Sequence, residues 1–211
     1  MKKIISLFFV ILMAISVFAC GFNPVESTVT TTQKSKIERG SIVDGTYVCE
    51  TLGIAFEKPA FWQYYTDEEI AQLMNLTVDS FLGERFEAIL DSNVAIYDMM
   101  VQDRISGTNV AIGYENLKIS SSTSITESQY IKAAKQQLKY SAMSPYVSFP
   151  YDTQTVKLGN IEFTRLVYIN TMYAYDMIQA MYVRKLENYM GFVTITINDG
   201  YTLEDVESMF H

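Results

Sequence analysis

The sequence is poor in the residues on which enzymes most often depend. Its 211 residues include one histidine, His211, and two cysteines. A serine or cysteine nucleophile would therefore lack its usual histidine base, and a zinc ion would lack ligands. A glycine-rich phosphate loop and an Asp-x-Asp-x-Asp-Gly calcium loop are also missing from the sequence. We therefore expect no catalytic residues, no metal and no cofactor, and we expect His211 to fray.

Positive charge is scarce as well. Lysine and arginine total 16 against 24 aspartates and glutamates, which gives a net charge of −8. Such an excess of acid repels the phosphate backbone of nucleic acids. The composition therefore excludes nucleic-acid binding as a main role.

The N-terminus has the pattern of an export signal. Lys2 and Lys3 precede an apolar run at 4–19, which as a helix would reach about 24 Å, less than the ~30 Å hydrocarbon core of a bilayer. The run ends in Val17-Phe18-Ala19-Cys20, which resembles the lipobox of bacterial lipoproteins. The resemblance implies that the Cys20 thiol is diacylated and that the chain is cut just before it. Two acyl chains give stable anchoring, whereas one binds only marginally.

Two other outcomes remain open for this segment. Ordinary cleavage after Ala19 would release a secreted protein, and an uncleaved run would leave a short membrane anchor. Lipidation of Cys20 instead predicts a protein of the cell membrane, on its extracytoplasmic face, with the lipid bilayer as partner. Loss of residues 1–19 also removes Lys2 and Lys3 and changes the net charge from −8 to −10.

Lipidation of Cys20 would leave Cys49 as the single thiol. An internal disulfide is then impossible, although disulfides persist outside the cytoplasm. The neighbours of Cys49 include Tyr47, Leu52 and Ile54. This apolar setting favours a buried packing thiol over a reactive one, and the second role stays open.

Composition divides the chain into three parts. Residues 1–19 are the signal peptide, and residues 20–46 are rich in Ser, Thr and Gly and predict a lipid-anchored flexible linker. A linker of this length has an r.m.s. span of about 25–30 Å. Residues 47–211 are long enough to form a single domain with its own core.

Strand and turn signals follow one another through the domain. Two hairpins are predicted, one around Ser106-Gly107 and one with Gly159-Asn160 as its two-residue turn. Consecutive hairpins indicate a largely antiparallel sheet. The predicted strands cover 94–101, 109–117, 161–169, 174–185 and 189–198.

Helix signals lie between the strands. Thr66 and Thr126 open capping boxes with Glu69 and Gln129, and Thr202 caps a terminal helix. A further helical pattern covers 78–90. Together with the hairpins, these helices predict an α+β fold with helices on both faces of the sheet.

One motif at the start of the domain resembles a known family. Gly53, Phe56, Pro59 and Trp62 follow one another at three-residue spacing, as at the opening of PsbP-like domains. Ala60-Phe61 departs from the polar-glycine pair usual before the tryptophan. The stretches 96–99 and 114–117 are also similar to Gram-positive bacterial lipoproteins of this fold. The resemblance covers nearly all of 47–211 and implies a PsbP-like α/β/α sandwich, but a fold supplies no function.

The same residues have an interpretation that needs no family. Phe56 and Trp62 are large apolar side chains suited to the core, and Pro59 would end the first strand. A ligand role for Trp62 remains the alternative.

Carboxylates are the remaining candidates for chemistry. Asp98 and Glu115 fall on the two adjacent strands of the first hairpin and could face one another as an acid–base pair. Asp67, Glu68 and Glu69 lie in the first turn of a helix, where a solvated cap explains them.

Tyrosine and methionine crowd the last strands of the domain. Such side chains fill sheet faces, and they are also common at recognition sites. The sheet interpretation is favoured, and a protein-binding patch stays open. The residues concerned are Tyr168, Met172, Tyr173, Tyr175, Met177, Met181, Tyr182, Tyr189 and Met190.

The sequence therefore favours a membrane-anchored extracytoplasmic lipoprotein with a non-enzymatic binding or accessory role. The alternative is a small-ligand binding module or a transporter accessory lipoprotein, which requires a concave pocket with a few placed polar groups.

Overall fold

A computed structural model describes residues 37–77, 86–142, 144–171 and 176–211. The predicted signal peptide, Cys20 and most of the linker lie outside these ranges, as does the first part of the helical pattern at 78–90. Within the described ranges, no helix is both long enough and apolar enough to cross a bilayer.

The described elements alternate short helices with strands, as the turn signals predict. The predicted capping role of each threonine is confirmed. The side chains of Thr66, Thr126 and Thr202 all accept a hydrogen bond from the backbone N–H of the third residue of their helix. The helices are α1 (Asp67–Leu73), α2 (Phe86–Ser92), α3 (Leu117–Ser120), α4 (Glu127–Tyr140) and α5 (Leu203–Glu207), with a 3₁₀ turn at Ser144–Tyr146. The strands are β1 (Ser41–Val43), β2 (Thr46–Cys49), β3 (Ile54–Glu57), β4 (Gln63–Tyr64), β5 (Ala95–Gln102), β6 (Asn109–Asn116), β7 (Val147–Ser148), β8 (Gln154–Leu158), β9 (Ile161–Asn170), β10 (Met177–Leu186) and β11 (Tyr189–Ile197).

The strands form two antiparallel sheets. An eight-stranded sheet has the order β4-β5-β6-β11-β10-β9-β7, with β8 also paired to β9. A smaller sheet consists of β1, β2 and β3. The predicted hairpins are confirmed as β5–β6 and β8–β9. The α+β fold with a largely antiparallel sheet is therefore confirmed.

The two faces of the large sheet are covered differently. Helix α4 packs on one face, where Tyr130, Ala134 and Leu138 are buried. The small sheet and α5 cover the other face, and Phe56 of β3 packs against Phe210 with ring centroids 4.9 Å apart and the ring planes tilted by 57°. Trp62 is 1% exposed within this core, as the core interpretation of that residue predicts.

The fold begins earlier than the predicted domain boundary at residue 47. Ile37 is buried, and Ser41–Val43 pairs with β2. Residues 37–46, assigned to the flexible linker on composition, therefore belong to the fold. A Ser- and Gly-rich composition does not reveal that Ile37 is buried or that Arg39 contacts Asp98, 59 positions further along the chain.

The end of the chain is also fixed. The His211 backbone N–H donates to the Ala55 carbonyl at 3.0 Å, and the Ala55 N–H donates back to the His211 carbonyl at 3.0 Å. The expectation that His211 frays is therefore wrong, because β3 offers an open edge for the last residues to pair with.

Candidate functional site

Asp98 lies at the centre of a buried polar cluster between the two sheets. Its side chain is fully buried, and Tyr47 Oη donates to Oδ2 at 2.7 Å. The Gly40 amide donates to the same oxygen at 2.8 Å. Arg39 Nε donates to Oδ1 at 3.2 Å, and its Nη2 reaches Asp67 Oδ1 at 2.7 Å. The carboxylate of Asp98 is thus surrounded by donors that the protein itself supplies.

A β-bulge aims Asp98 into this cluster. The register of β5 and β6 shifts between Tyr97 and Met99, so Asp98 is the extra residue. A bulge re-aims a side chain out of the regular alternation. Burial raises the pKa of Asp98, while the Gly40 amide, Tyr47 and Arg39 lower it. Burial also raises the pKa of Tyr47 well above its usual value, so this hydroxyl keeps its proton and remains a donor.

Cys49 lies next to this polar cluster, two residues after Tyr47 on β2. It is 0% exposed, and its Sγ lies 3.1 Å from Tyr114 Oη. Burial raises the pKa of the thiol, which disfavours the reactive thiolate. The prediction that Cys49 is buried is confirmed, and its neighbours explain why a polar sulfur is tolerated there.

Glu115 lies on the opposite face of the large sheet. Tyr114 and Glu115 are successive residues of β6, so their side chains point to opposite sides. The Tyr130 hydroxyl of α4 donates to Glu115 Oε2, while Oε1 has no hydrogen-bond partner among the described residues. Burial raises the pKa of Glu115 and outweighs the lowering by Ser120 and Tyr130.

The structure therefore does not bring Asp98 and Glu115 together. The first contacts Tyr47 beneath the small sheet, and the second contacts Tyr130 beneath α4. The facing arrangement suggested by the hairpin fails because the bulge at Asp98 breaks the alternation of side chains along β5.

The tyrosines and methionines of the last strands are mostly internal. Tyr182 and Met190 are fully buried, and Tyr168, Tyr189 and Met177 are at most 9% exposed. These five side chains fill the sheet faces, so they cannot form an exposed patch. Met172, Tyr173 and Tyr175 lie outside the described residues. A protein partner for this region stays a prediction.

A groove of about 490 Å³ lies between the start of α4 and strands β8 to β10. Its walls are mainly polar, and Glu127 Oε1 accepts a hydrogen bond from the Lys185 amide at 3.0 Å. Sequence patterns did not single out this groove, because its residues come from four separate elements and the β8–β9 turn. They include Glu127, Thr155, Asn160, Thr164, Arg184 and Lys185.

Arg39 is the residue of the Asp98 cluster that sequence patterns do not reveal. It lies in the segment assigned to the linker and is 59 positions from Asp98 along the chain. A single arginine among Ser, Thr and Gly carries no periodic signal. The strand β2 begins shortly after it, at Thr46, but proximity to a strand does not indicate which distant residue an arginine will contact.

Comparison with family models and with curated proteins finds no match to this chain. Among solved structures, the chain is similar to a cyanobacterial PsbP, CyanoP, from Synechocystis sp. PCC 6803, with 11% identity and a TM-score of 0.47 over 90% of this chain and 99% of that chain. It is also similar to a protein of Bacteroides thetaiotaomicron VPI-5482, with 12% identity and a TM-score of 0.38 over 83% of this chain. The match spans about half, 48%, of the Bacteroides chain.

Proposed function

We propose that this chain is a lipoprotein anchored to the extracytoplasmic face of the cell membrane through Cys20, with a non-enzymatic binding or accessory role. The observation that carries the proposal is the run Val17-Phe18-Ala19-Cys20 after a basic start and a short apolar segment. The motif from Gly53 to Trp62 supports a PsbP-like domain in a Gram-positive bacterial lipoprotein.

The contacts of the buried carboxylates support a role without catalysis. Asp98 is held by Arg39, Tyr47 and the Gly40 amide, and Tyr130 covers Glu115. A general acid or base must reach a substrate proton, usually within about 3 Å. Both groups instead connect layers of the fold.

Fatty-acid labelling tests the anchor. Cells that produce the full chain are grown with labelled palmitate, alongside the Cys20→Ser and Cys49→Ser variants. We expect label in the parent and in Cys49→Ser, and none in Cys20→Ser. An unlabelled parent, or label that survives in Cys20→Ser, would contradict the proposal.

The polar groove favours a second candidate, a small-ligand binding module. Its volume of about 490 Å³ falls within the range of ligand sites, but such sites are mostly lined by apolar side chains. A thermal-shift screen tests this candidate, with Thr164→Arg as the variant that fills the groove. A ligand of the groove would stabilise the parent and not the variant, and a flat result for both would eliminate it.

A further inference from the structure

One end of the large sheet gathers three neighbouring segments, which we call the distal loop end. They are residues 42–45, which comprise the end of β1 and the β1–β2 turn, residues 58–62 before β4, and residues 103–108 between β5 and β6. Tyr64 pairs with Val101 near the end of β5, and its hydroxyl donates to the Gly45 carbonyl at 3.1 Å. These contacts bring the β1–β2 turn and the segment before β4 to the end of the sheet that carries the β5–β6 turn.

Exposed apolar side chains concentrate at this end. Nine large apolar side chains are exposed among the described residues, and four of them lie in these three segments. Ile105 is 92% exposed and Phe61 is 58% exposed, with Ile42 and Val43 at 53% and 54%. Isolated exposed apolar residues need no explanation, but a group of them at one end indicates a contact surface.

The exposure of Ile105 is built into its turn. Asp103 Oδ1 accepts the Ile105 amide at 2.9 Å, and its Oδ2 accepts the Ser106 hydroxyl at 2.7 Å. Across the turn, the Asp103 amide donates to the Thr108 carbonyl at 2.8 Å. Asp103 is only 4% exposed. The turn is therefore held in a shape that presents Ile105 to solvent, and little further ordering is needed for it to bind.

Charged groups of both signs accompany the apolar side chains at this end. Arg104 has a side chain 61% exposed, next to Ile105, and lies 4.0 Å from Glu69. Lys58 Nζ lies 5.5 Å from the centre of the Tyr64 ring. The exposed Asp44 and the partly exposed Glu69 balance these cations, so this end carries no net positive charge. The exposed apolar side chains, rather than charge, therefore suit this end to the boundary between headgroups and acyl chains.

The tether leaves from the other end of the sheet but is long enough. The Glu38 amide donates to Thr51 Oγ1 at 3.1 Å, which places Ile37 by the β2–β3 turn, away from Ile105. Sixteen residues separate Cys20 from Ile37. Fully extended, these sixteen residues span about 53–58 Å. The two ends of the large sheet are separated by about the length of the eight-residue strand β6, which is about 27 Å. The bilayer that would hold Cys20 is thus within reach of the distal loop end.

We propose that the distal loop end inserts Ile105 and Phe61 into the interface of the bilayer to which Cys20 is anchored. The inference rests on the proposed function, since the anchor supplies this bilayer at a high effective concentration. Insertion would hold the domain against the membrane in one orientation.

Tryptophan fluorescence in vesicles tests the insertion. The full lipidated chain is reconstituted in equimolar phosphatidylcholine and phosphatidylglycerol, with and without bromine on the acyl chains. Ile105→Trp and Phe61→Trp are the reporters. Ile119→Trp is the matched control, because Ile119 is 48% exposed but follows the other end of β6. The signal of the native, buried Trp62 is subtracted by means of the parent protein.

We expect a blue shift and a loss of intensity in brominated vesicles for both reporters and neither change for Ile119→Trp. If the protein binds the vesicles but both reporters stay exposed to water, the insertion is overturned and the anchor is left intact. This is the result expected if the distal loop end instead binds an apolar pocket of another protein. Failure of the parent to float with the vesicles would overturn the anchor, and the insertion with it.

Discussion

Removal of the arginine that compensates the buried Asp98 is the sharpest test of the internal contacts. Arg39→Met keeps much of the side-chain length and removes the positive charge. The Asp98 side chain is fully buried, whereas that of Arg39 is 24% exposed. Hydrogen bonds to charged groups contribute about 1.5–3 kcal/mol, and a broken buried ion pair costs about 3–5 kcal/mol. Because Asp98 keeps Tyr47 and the Gly40 amide, we expect a loss of about 2–3 kcal/mol, at or just below the lower end of the range for a broken buried ion pair.

Urea unfolding at two pH values measures this loss. Burial already raises the folded-state pKa of Asp98, and Arg39→Met removes a group that lowers it. An acid with a raised folded-state pKa binds its proton more tightly in the folded state, so stability falls as the pH rises through that pKa. The loss in Arg39→Met should therefore be smaller at mildly acidic pH than at neutral pH.

Two further variants make the result decisive. Arg39→Met/Asp98→Asn removes both charges and should recover part of the lost stability. Arg104→Met alters an exposed pair and should cost less than about 0.5 kcal/mol. A loss in Arg39→Met no larger than that in Arg104→Met, or no recovery in the double variant, would refute the compensation of Asp98 by Arg39.

Three further variants test other contacts by unfolding. Glu115→Gln should raise the stability at neutral pH, because burial raises the pKa of Glu115. The gain should disappear as the pH falls and Glu115 takes up its proton. A loss of stability at neutral pH would show instead that the fold stabilises the ionised form of Glu115. Gly113→Ala should cost about 1–3 kcal/mol, because its Cβ would collide with the Ile96 carbonyl oxygen, and a neutral effect would mean that β5 can shift. Thr126→Ala should cost about 1 kcal/mol through loss of the α4 cap, whereas Thr126→Ser should retain most of the stability; equal losses in the two would show that the cap hydrogen bond contributes little.

Local signals in the sequence predicted the elements well. Thr66 and Thr126 form the expected capping boxes, and Gly159-Asn160 forms the expected turn between β8 and β9. These features depend on residues within a few positions of one another, which a sequence displays directly.

Contacts between distant residues were not predictable in the same way. Arg39 meets Asp98 across 59 positions, and a bulge turns Asp98 away from the pattern of its strand. Alternation within one strand cannot reveal a bulge, and composition cannot reveal that residues 37–46 pack on the domain. The tyrosines of β10 and β11 were ambiguous for a related reason, since the residues that cover them lie on other elements.

The central claim is that Cys20 carries the lipid anchor. Mass spectrometry of the N-terminal peptide from the mature membrane-bound protein tests it most directly. We predict a peptide that begins at Cys20 and carries two acyl chains on its thiol-linked glycerol. A peptide that begins at another residue, or an unmodified Cys20, would contradict the claim.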